Sequence, residues 1–202
     1  MQMAEVLVLY FSRNGATEAL AREVCRGVDS IDGMSSRLRT VPDVSSVTEA
    51  TEAEVPDDGP PYAELHDLED CSGLVMGSPT HFGNMAAPLK YFLDGTTGSW
   101  FGGALAGKPA GVFTSTSSVH GGQETTLMSM ALPLLHHGML FVGVPYTEEA
   151  LSKTTTGGTP YGASHVSWSR PDDALSEDEI TLARALGSRV ADIARRLAAS
   201  SD

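Results

Sequence analysis

The stretch that most constrains this chain is Val6–Glu18, which reads VLVLYFSRNGATE. Its first part, Val6–Phe11, is entirely apolar, as in a strand buried on both faces of a parallel sheet, although a buried helix has the same signature. Turn-forming residues follow at Ser12–Gly15, and from Ala16 onward apolar side chains recur at every fourth position, which predicts a helix. A buried strand, a polar turn and a helix start therefore follow one another without interruption.

Such a junction predicts an anion site. Consecutive backbone N–H groups in the turn, together with the unpaired N–H groups of the first helical turn, form a concave surface of positive partial charge. The hydroxyl groups of Ser12 and Thr17 can add hydrogen-bond donors. We therefore expect this loop to hold a phosphate monoester.

Length and composition favour one folded domain spanning 1–202. The chain has 41% hydrophobic and 19% charged residues, enough for a complete core. Its net charge of −13 argues against binding to nucleic acid or to anionic membranes, and is ordinarily a matter of solubility. Cys25 and Cys71 are too few for a disulfide framework or a zinc site, so no metal is expected. No stretch approaches the roughly 20 apolar residues of a membrane span, and the first strand begins almost at once, which predicts a cytoplasmic protein.

Two later apolar runs also end in polar loops. Gly73–Ser78 predicts a buried strand that runs into Pro79–Asn84, and Lys108–Thr114 predicts another that runs into Ser115–Gly122. Ser35–Val41 predicts a strand nearer the sheet edge. Alternating strands and helices predict a doubly wound parallel α/β sheet, in which ligands bind beyond the carboxyl ends of the strands. We therefore expect the three loops to line one ligand site.

The remaining segments predict covering helices and one long insertion. Helices are expected over 62–70, 86–93 and 124–137, the last of these apolar enough to be buried. Met139–Val144 predicts the fifth strand. Tyr146–Pro171 is a long insertion, of a kind that is more often functional than not, and Ser164–Trp168 resumes a strand within it.

A final helix is predicted from about Leu175. Ser176 and Glu179 have the spacing of a capping box at its start. The stripe that packs it on the sheet is expected to be Ile180, Ala183, Leu186, Val190, Ile193 and Leu197.

Several longer motifs occur in order along the chain, namely VLVLYFSRNGATE, GSPTHFGNMAAPLKYFLDGTTGSW, STSSVHGGQETT, LLHHGM and GGTPYGA. Together they resemble the WrbA family of flavodoxin-like NAD(P)H:quinone oxidoreductases over nearly the whole chain. The first motif is shared with flavodoxins generally, whereas LLHHGM and GGTPYGA in one chain are more specific. The resemblance implies FMN as cofactor, NADH or NADPH as electron donor, two-electron reduction of quinones, a five-stranded sheet of order 2-1-3-4-5, and a homotetramer or dimer.

The same resemblance assigns roles to individual residues. It implies that FMN is bound at its phosphate by Ser12, Arg13, Asn14, Gly15, Ala16 and Thr17, at its ring by Pro79, Thr80, His81, Phe82, Gly83 and Asn84, and along the ring border by Ser115, Thr116, Ser117, Ser118, Val119 and His120. Asn14 also matches a contact to the nicotinamide nucleotide, and Trp100 matches an aromatic residue on the substrate side. His137 matches a histidine near the flavin ring, where it would act catalytically as a proton donor or electrostatic stabiliser.

Some of these residues have plainer interpretations. His137 stands at a predicted helix end, where a cation interacts favourably with the helix dipole. Trp100 is equally a core residue by type, although its glycine-rich surroundings predict a loop. His81 replaces the arginine of the family's PTRFGN, and Ser117 replaces the glycine of STGT. Ser117 would be strained if its position requires a positive φ.

Two other functions are compatible with the residues. An electron carrier like flavodoxin would pass single electrons to protein partners and use its acidic surface to dock basic ones. A regulatory or scaffolding protein would keep the fold without the flavin. The long insertion, the LLHHGM motif and Trp100 favour the enzyme, because a carrier needs no enclosed substrate pocket.

Overall fold

Strands and helices alternate along the chain, as a doubly wound sheet requires. The computed structural model describes residues 4–45, 56, 59–167 and 174–199. Its strands are β1 (Ala4–Tyr10), β2 (Met34–Thr40), β3 (Gly73–His81), β4 (Asn84–Met85), β5 (Pro109–Thr116), β6 (Leu140–Phe141) and β7 (Ala163–Val166). Its helices are α1 (Ala16–Asp29), α2 (Leu65–Asp70), α3 (Ala87–Asp94), α4 (Thr97–Phe101), α5 (Gln123–His136), α6 (Ala150–Lys153) and α7 (Glu177–Ala199).

The sheet confirms the predicted flavodoxin-like architecture, with one difference at its far edge. Its main strands run parallel in the order β2-β1-β3-β5-β6, and β2 is an edge strand as expected. The fifth position is divided, because β6 pairs with the start of β5 and β7 pairs with its end. The short antiparallel β4 pairs with the end of β3.

The divided edge corrects the predicted fifth strand over Met139–Val144. The backbone of Val142 still bonds to β5, but the N–H of Val144 donates to the carbonyl of Pro160 instead. Gly143 permits this crossing, because a Cβ there would lie 2.2 Å from the Pro160 oxygen. The insertion therefore ends the strand early and supplies β7 in its place. Trp168 and Pro171, the predicted ends of the resumed strand and of the insertion, lie outside the described residues.

Both faces of the sheet are covered, and the apolar run of β1 contributes to each. Val6, Val8 and Tyr10 face the cluster formed with α1 and α7, while Leu7, Leu9 and Phe11 face the cluster formed with α3 and α5. This confirms the strand interpretation of the opening stretch. No helix in the part of the chain that the structure describes has the length and hydrophobicity needed to cross a membrane.

Helix α5 differs from its predicted burial. Its inner side packs on the sheet, but Met128, Leu132 and Leu135 form an outward stripe in which Leu132 is 57% exposed. The apolar composition of the segment predicted a buried helix because both of its faces are apolar, and only one of them meets the sheet. Trp100 also differs from its predicted loop, because it lies in α4.

Helix α7 begins as predicted. The N–H of Glu179 donates to Ser176 Oγ at 3.2 Å, and the N–H of Ser176 donates to Glu179 Oε2 at 2.7 Å, which completes the capping box. Ala183, Leu186 and Val190 of the expected stripe are buried. Ile180 and Ile193 are half-buried, and Leu197 is exposed.

Candidate functional site

A cleft of about 240 Å³ lies where β1, β3 and β5 end. The sheet is parallel, so the carboxyl ends of these strands meet at one edge and bring their following residues together. The cleft is lined by Ser12, Arg13, Asn14, Ala16, Thr17, Pro79, Thr80, His81, Ser115, Thr116, Ser117 and Ser167. All three predicted loops therefore contribute to a single site.

The first wall of this cleft is the turn between β1 and α1. Gly15 is the N-cap of α1 with φ 86°, and no side chain caps the helix. Its own N–H donates to Ser12 Oγ at 3.1 Å, and the first helical hydrogen bond runs from the N–H of Ala19 to the Gly15 carbonyl. The N–H groups before Ala19 thus form the uncapped, positive end of the helix. This arrangement fits the phosphate monoester of FMN.

Hydroxyl groups join the three walls to one another. Thr17 Oγ1 and Ser115 Oγ are 2.9 Å apart in a buried contact between the first loop and β5. Thr80 Oγ1 lies 3.2 Å from Thr114 Oγ1 and accepts a hydrogen bond from Thr126 at the same distance. These contacts fix the spacing of the walls, and the cleft is therefore formed before any ligand arrives.

The second wall is a β-hairpin where the sequence predicted a loop. Strand β3 continues to His81 and pairs with β4, so that only Phe82 and Gly83 form the tip. Both have positive φ, and Phe82 is fully exposed. Of the pair that closes the hairpin, His81 lines the first cleft and Asn84 lines a second one.

The third wall shows no strain at Ser117. Among the described non-glycine residues, Phe82 alone has a positive φ, so the serine that replaces glycine here adopts an ordinary conformation. The following residues, Ser118–His120, are exposed and lie outside the cleft lining. The amide of Gln123 donates to the carbonyls of Ser118 and Val119 and holds this loop closed.

His137 and Trp100 lie in the second cleft, of about 590 Å³, on the other side of the hairpin. Trp100 Nε1 donates to the carbonyl of His136 at 2.8 Å, which ties α4 to the end of α5. Neither His137 nor Trp100 lines the first cleft of the same chain. The structure therefore separates these two predicted site residues from the loops that would hold FMN.

The ring of His137 has a defined tautomer. Thr96 Oγ1 donates to the Leu93 carbonyl at 2.7 Å, so its lone pair meets His137 Nε2 at 3.0 Å, which assigns the ring proton to Nε2. His137 Nδ1 is buried without a hydrogen-bond partner among the described residues. Burial, and then the neighbouring His136, lower the pKa of His137. The ring is therefore neutral at pH 7 and gains little from the helix dipole.

Among the described residues that line the first cleft, Ser167 alone was not predicted from the sequence. It follows β7 directly, and β7 runs parallel to β5, so its carboxyl end reaches the same edge of the sheet. The predicted strand over Ser164–Trp168 was the available signal. Because that strand was placed within an insertion, its end was not connected with the other three strand ends.

The sequence matches a known protein family and curated relatives over most of its length. Residues 4–148 match the NADPH-dependent FMN reductase family. A NAD(P)H dehydrogenase (quinone) from Solidesulfovibrio magneticus is 44% identical over 201 residues, covering 96% of this chain and 99% of the relative. One of the same name from Chromohalobacter salexigens is 45% identical over 206 residues, covering 97% of this chain and 100% of the relative.

Solved structures support the fold. A flavodoxin, WrbA-like protein from Agrobacterium tumefaciens superposes with a TM-score of 0.67 at 24% identity, covering 96% of this chain and 98% of that one. An archaeal flavodoxin gives a TM-score of 0.62 at 17% identity, covering 95% and 99%. Identities this low show the fold alone, whereas the family match and the two close relatives extend over most of the chain. The chain therefore belongs to the NADPH-dependent FMN reductase family.

Proposed function

We propose that this protein is an FMN-dependent NAD(P)H:quinone oxidoreductase of the WrbA type, built as a single FMN-binding domain. The observation that carries the proposal is the preformed cleft at which three strand ends meet the uncapped start of α1. The two relatives named NAD(P)H dehydrogenase (quinone) support the same activity at 44% and 45% identity. The protein works in the cytoplasm, where NADH and NADPH are available.

The first cleft holds FMN. The uncapped N–H groups of α1, with Ser12 and Thr17, bind its phosphate. The walls at Pro79–His81 and Ser115–Ser117 hold the rest of the FMN molecule. Their polar groups stabilise the negative charge that two-electron reduction places on the flavin. When bound, FMN would supply the redox chemistry, namely acceptance of a hydride from NADH or NADPH and two-electron reduction of the quinone. Asn14, which is exposed at the cleft, contacts the nicotinamide nucleotide.

The quinone site draws on the second cleft. The two clefts are neighbours at the hairpin, since His81 lines the first cleft and its strand partner Asn84 lines the second. Trp100 supplies an aromatic surface for the quinone ring. His137, which lines the same cleft, takes up a proton and gives it to the developing phenolate oxygen.

A homotetramer would cover the apolar surface that one chain leaves exposed. The outward stripe of α5 lies beside the second cleft, whose lining includes Leu132. Tyr91, Phe101 and Leu140 add further exposed apolar side chains. Exposed apolar surface marks protein–protein contacts, and a closed assembly buries the same surface on every subunit.

Stopped-flow spectroscopy tests the activity. Mixing the FMN-loaded protein with NADH or NADPH should bleach the flavin absorbance, and benzoquinone should then restore it with one quinone consumed per reduced flavin. A protein that keeps its yellow flavin but shows no bleaching with either nucleotide would instead be an electron carrier. A protein that binds no FMN would contradict both functions.

The His137→Ala variant tests the catalytic assignment. FMN binding should be unchanged, because His137 lies outside the first cleft, while quinone turnover falls by about 10²-fold or more, as for a lost general acid. The wild-type protein should turn over faster as the pH falls towards the lowered pKa of His137, because only the protonated ring can donate. The variant should lose this pH dependence. Equal turnover and equal pH profiles would remove His137 from the mechanism.

A further inference from the structure

Ser167 occupies the cleft without belonging to any of the three loops. Its backbone N–H donates to the Thr116 carbonyl at 2.7 Å, which holds it beside the third wall. The residue is half-buried and lines the cleft together with Thr116 and Ser117. A hydroxyl group at this place can both donate and accept a hydrogen bond.

Hydrogen bonds to Glu179 hold the segment that carries Ser167 in place. This carboxylate is 1% exposed and accepts hydrogen bonds from the N–H groups of Gly157, Val166 and Ser176 and from His165 Nδ1, at 2.7–3.2 Å. Each carboxylate oxygen accepts two of these hydrogen bonds, which matches its two lone pairs. One side chain thus joins the insertion, β7 and the start of α7.

This cluster also reaches the phosphate loop. His165 pairs in register with Ser115 of β5, and Ser115 Oγ meets Thr17 Oγ1 at 2.9 Å. Val166, which donates to Glu179, immediately precedes Ser167 in the chain. The position of Ser167 relative to the phosphate loop therefore depends on the contacts that Glu179 makes.

We propose that Ser167 provides a fourth cofactor-binding segment besides the three loops, and that Glu179 is its positioning residue. This rests on the proposed occupancy of the first cleft by FMN. The ligand chemistry that suits Ser167 is the ribityl phosphate arm, because the cleft walls beside it are the hydroxyl-rich β5 end and the phosphate loop. The apolar face of the flavin ring, in contrast, has no group that could form a hydrogen bond with the Ser167 hydroxyl.

The first test is FMN affinity of the flavin-free full-length protein, followed by quenching of FMN fluorescence. Ser167→Ala should raise the Kd about three- to tenfold, the factor that one lost hydrogen bond gives, with an unchanged melting temperature. Thr17→Val, in the phosphate loop, serves as the positive control. Riboflavin is titrated in parallel. If Ser167→Ala binds only FMN more weakly, Ser167 contacts the phosphate. If it binds FMN and riboflavin more weakly by the same factor, Ser167 contacts the ribityl hydroxyls.

Two outcomes would count against the inference in different ways. If Ser167→Ala binds FMN within twofold of the wild-type protein while Thr17→Val is weakened, Ser167 does not contact the cofactor and the FMN site stands. If neither variant changes the Kd, the first cleft is not the FMN site, and the inference falls together with the proposed function.

The second test separates positioning by Glu179 from mere loss of stability. Glu179→Gln should weaken FMN binding about as much as Ser167→Ala, and the double variant should be no weaker than either, because both remove the same contact. Val190→Ala truncates a fully buried side chain farther along α7 and provides a destabilised control. Additive losses, or equal FMN affinity of Glu179→Gln and Val190→Ala, would overturn the positioning role.

A variant pair at His165 covers the case in which Glu179→Gln does not fold. His165→Ala removes one of the donors to Glu179, and His165→Asn restores a donor near the position of Nδ1. FMN affinity should fall in the first variant and recover in the second. Equal affinity in the two would overturn the link between Glu179 and the cleft.

Discussion

The charge of Glu179 should make a measurable, pH-dependent contribution to stability. Burial acts to raise the pKa of this carboxyl group, but the hydrogen bonds from His165, Ser176 and Gly157 outweigh burial and lower the pKa to about 2. A glutamate in an unfolded chain titrates near 4.5. Each pH unit between the two values is worth about 1.36 kcal/mol, so ionised Glu179 stabilises the fold by about 3 kcal/mol at pH 7.

The sign of the pH dependence follows from the lowered pKa. Above pH 4.5 the carboxylate is ionised in both states, and its full contribution is present. Between pH 4.5 and 2 the unfolded chain binds the proton first, so the contribution shrinks, to roughly half of its full value by pH 3. Below pH 2 it is gone.

Urea denaturation of the wild-type protein and Glu179→Gln between pH 3 and pH 7 measures this directly. The difference in the free energy of unfolding should be about 3 kcal/mol at pH 7 and should fall by roughly half at pH 3. Other buried carboxylates, such as Asp67, contribute equally to both proteins and cancel. A difference that is the same at every pH would refute the reasoning, because it would show that packing rather than charge carries the effect.

Four further substitutions test packing, the subunit interface and the conformation of Ser117. Gly187→Ala should lower the free energy of unfolding by about 2–4 kcal/mol, because its Cβ would lie 2.1 Å from the Val24 carbonyl oxygen where α7 crosses α1. Gly98→Ala, which meets nothing within 4 Å, should stay within about 0.5 kcal/mol in the same denaturation experiment. Leu132→Glu should convert the assembly to smaller species of folded chain in analytical ultracentrifugation, and an unchanged sedimentation coefficient would exclude the α5 stripe as the interface. Ser117→Gly should leave FMN affinity unchanged or slightly weaker by fluorescence titration, and a clear gain would mean that Ser117 is strained after all.

The sheet and the polar turn before α1 could be predicted from local sequence because interactions within short segments determine them. The apolar run of Val6–Phe11 can be satisfied only by burial on both faces, and the polar turn at Ser12–Gly15 must end the strand there. The capping box of Ser176 and Glu179 was predictable for the same reason, since its hydrogen bonds are made within one turn of helix.

Other features depend on contacts between distant segments. The segment Pro79–Asn84, predicted as a loop, forms a hairpin because His81 pairs with Asn84 across it. The strand predicted at Met139–Val144 ends early because the N–H of Val144 donates to the carbonyl of Pro160 instead of to the sheet. Neither contact leaves a periodic pattern in the sequence, so neither was foreseeable from it.

The sequence by itself determined a doubly wound sheet, the polar turn at Ser12–Gly15 and the set of loops that meet at one edge, because each follows from the hydrophobic pattern and turn chemistry of short segments. Only the tertiary structure decided that Ser167 joins those loops and that His137 and Trp100 stand apart in a second cleft. It also decided that Glu179 does more than cap a helix, because its other hydrogen bonds come from residues that reach it only after the insertion has folded back onto the sheet.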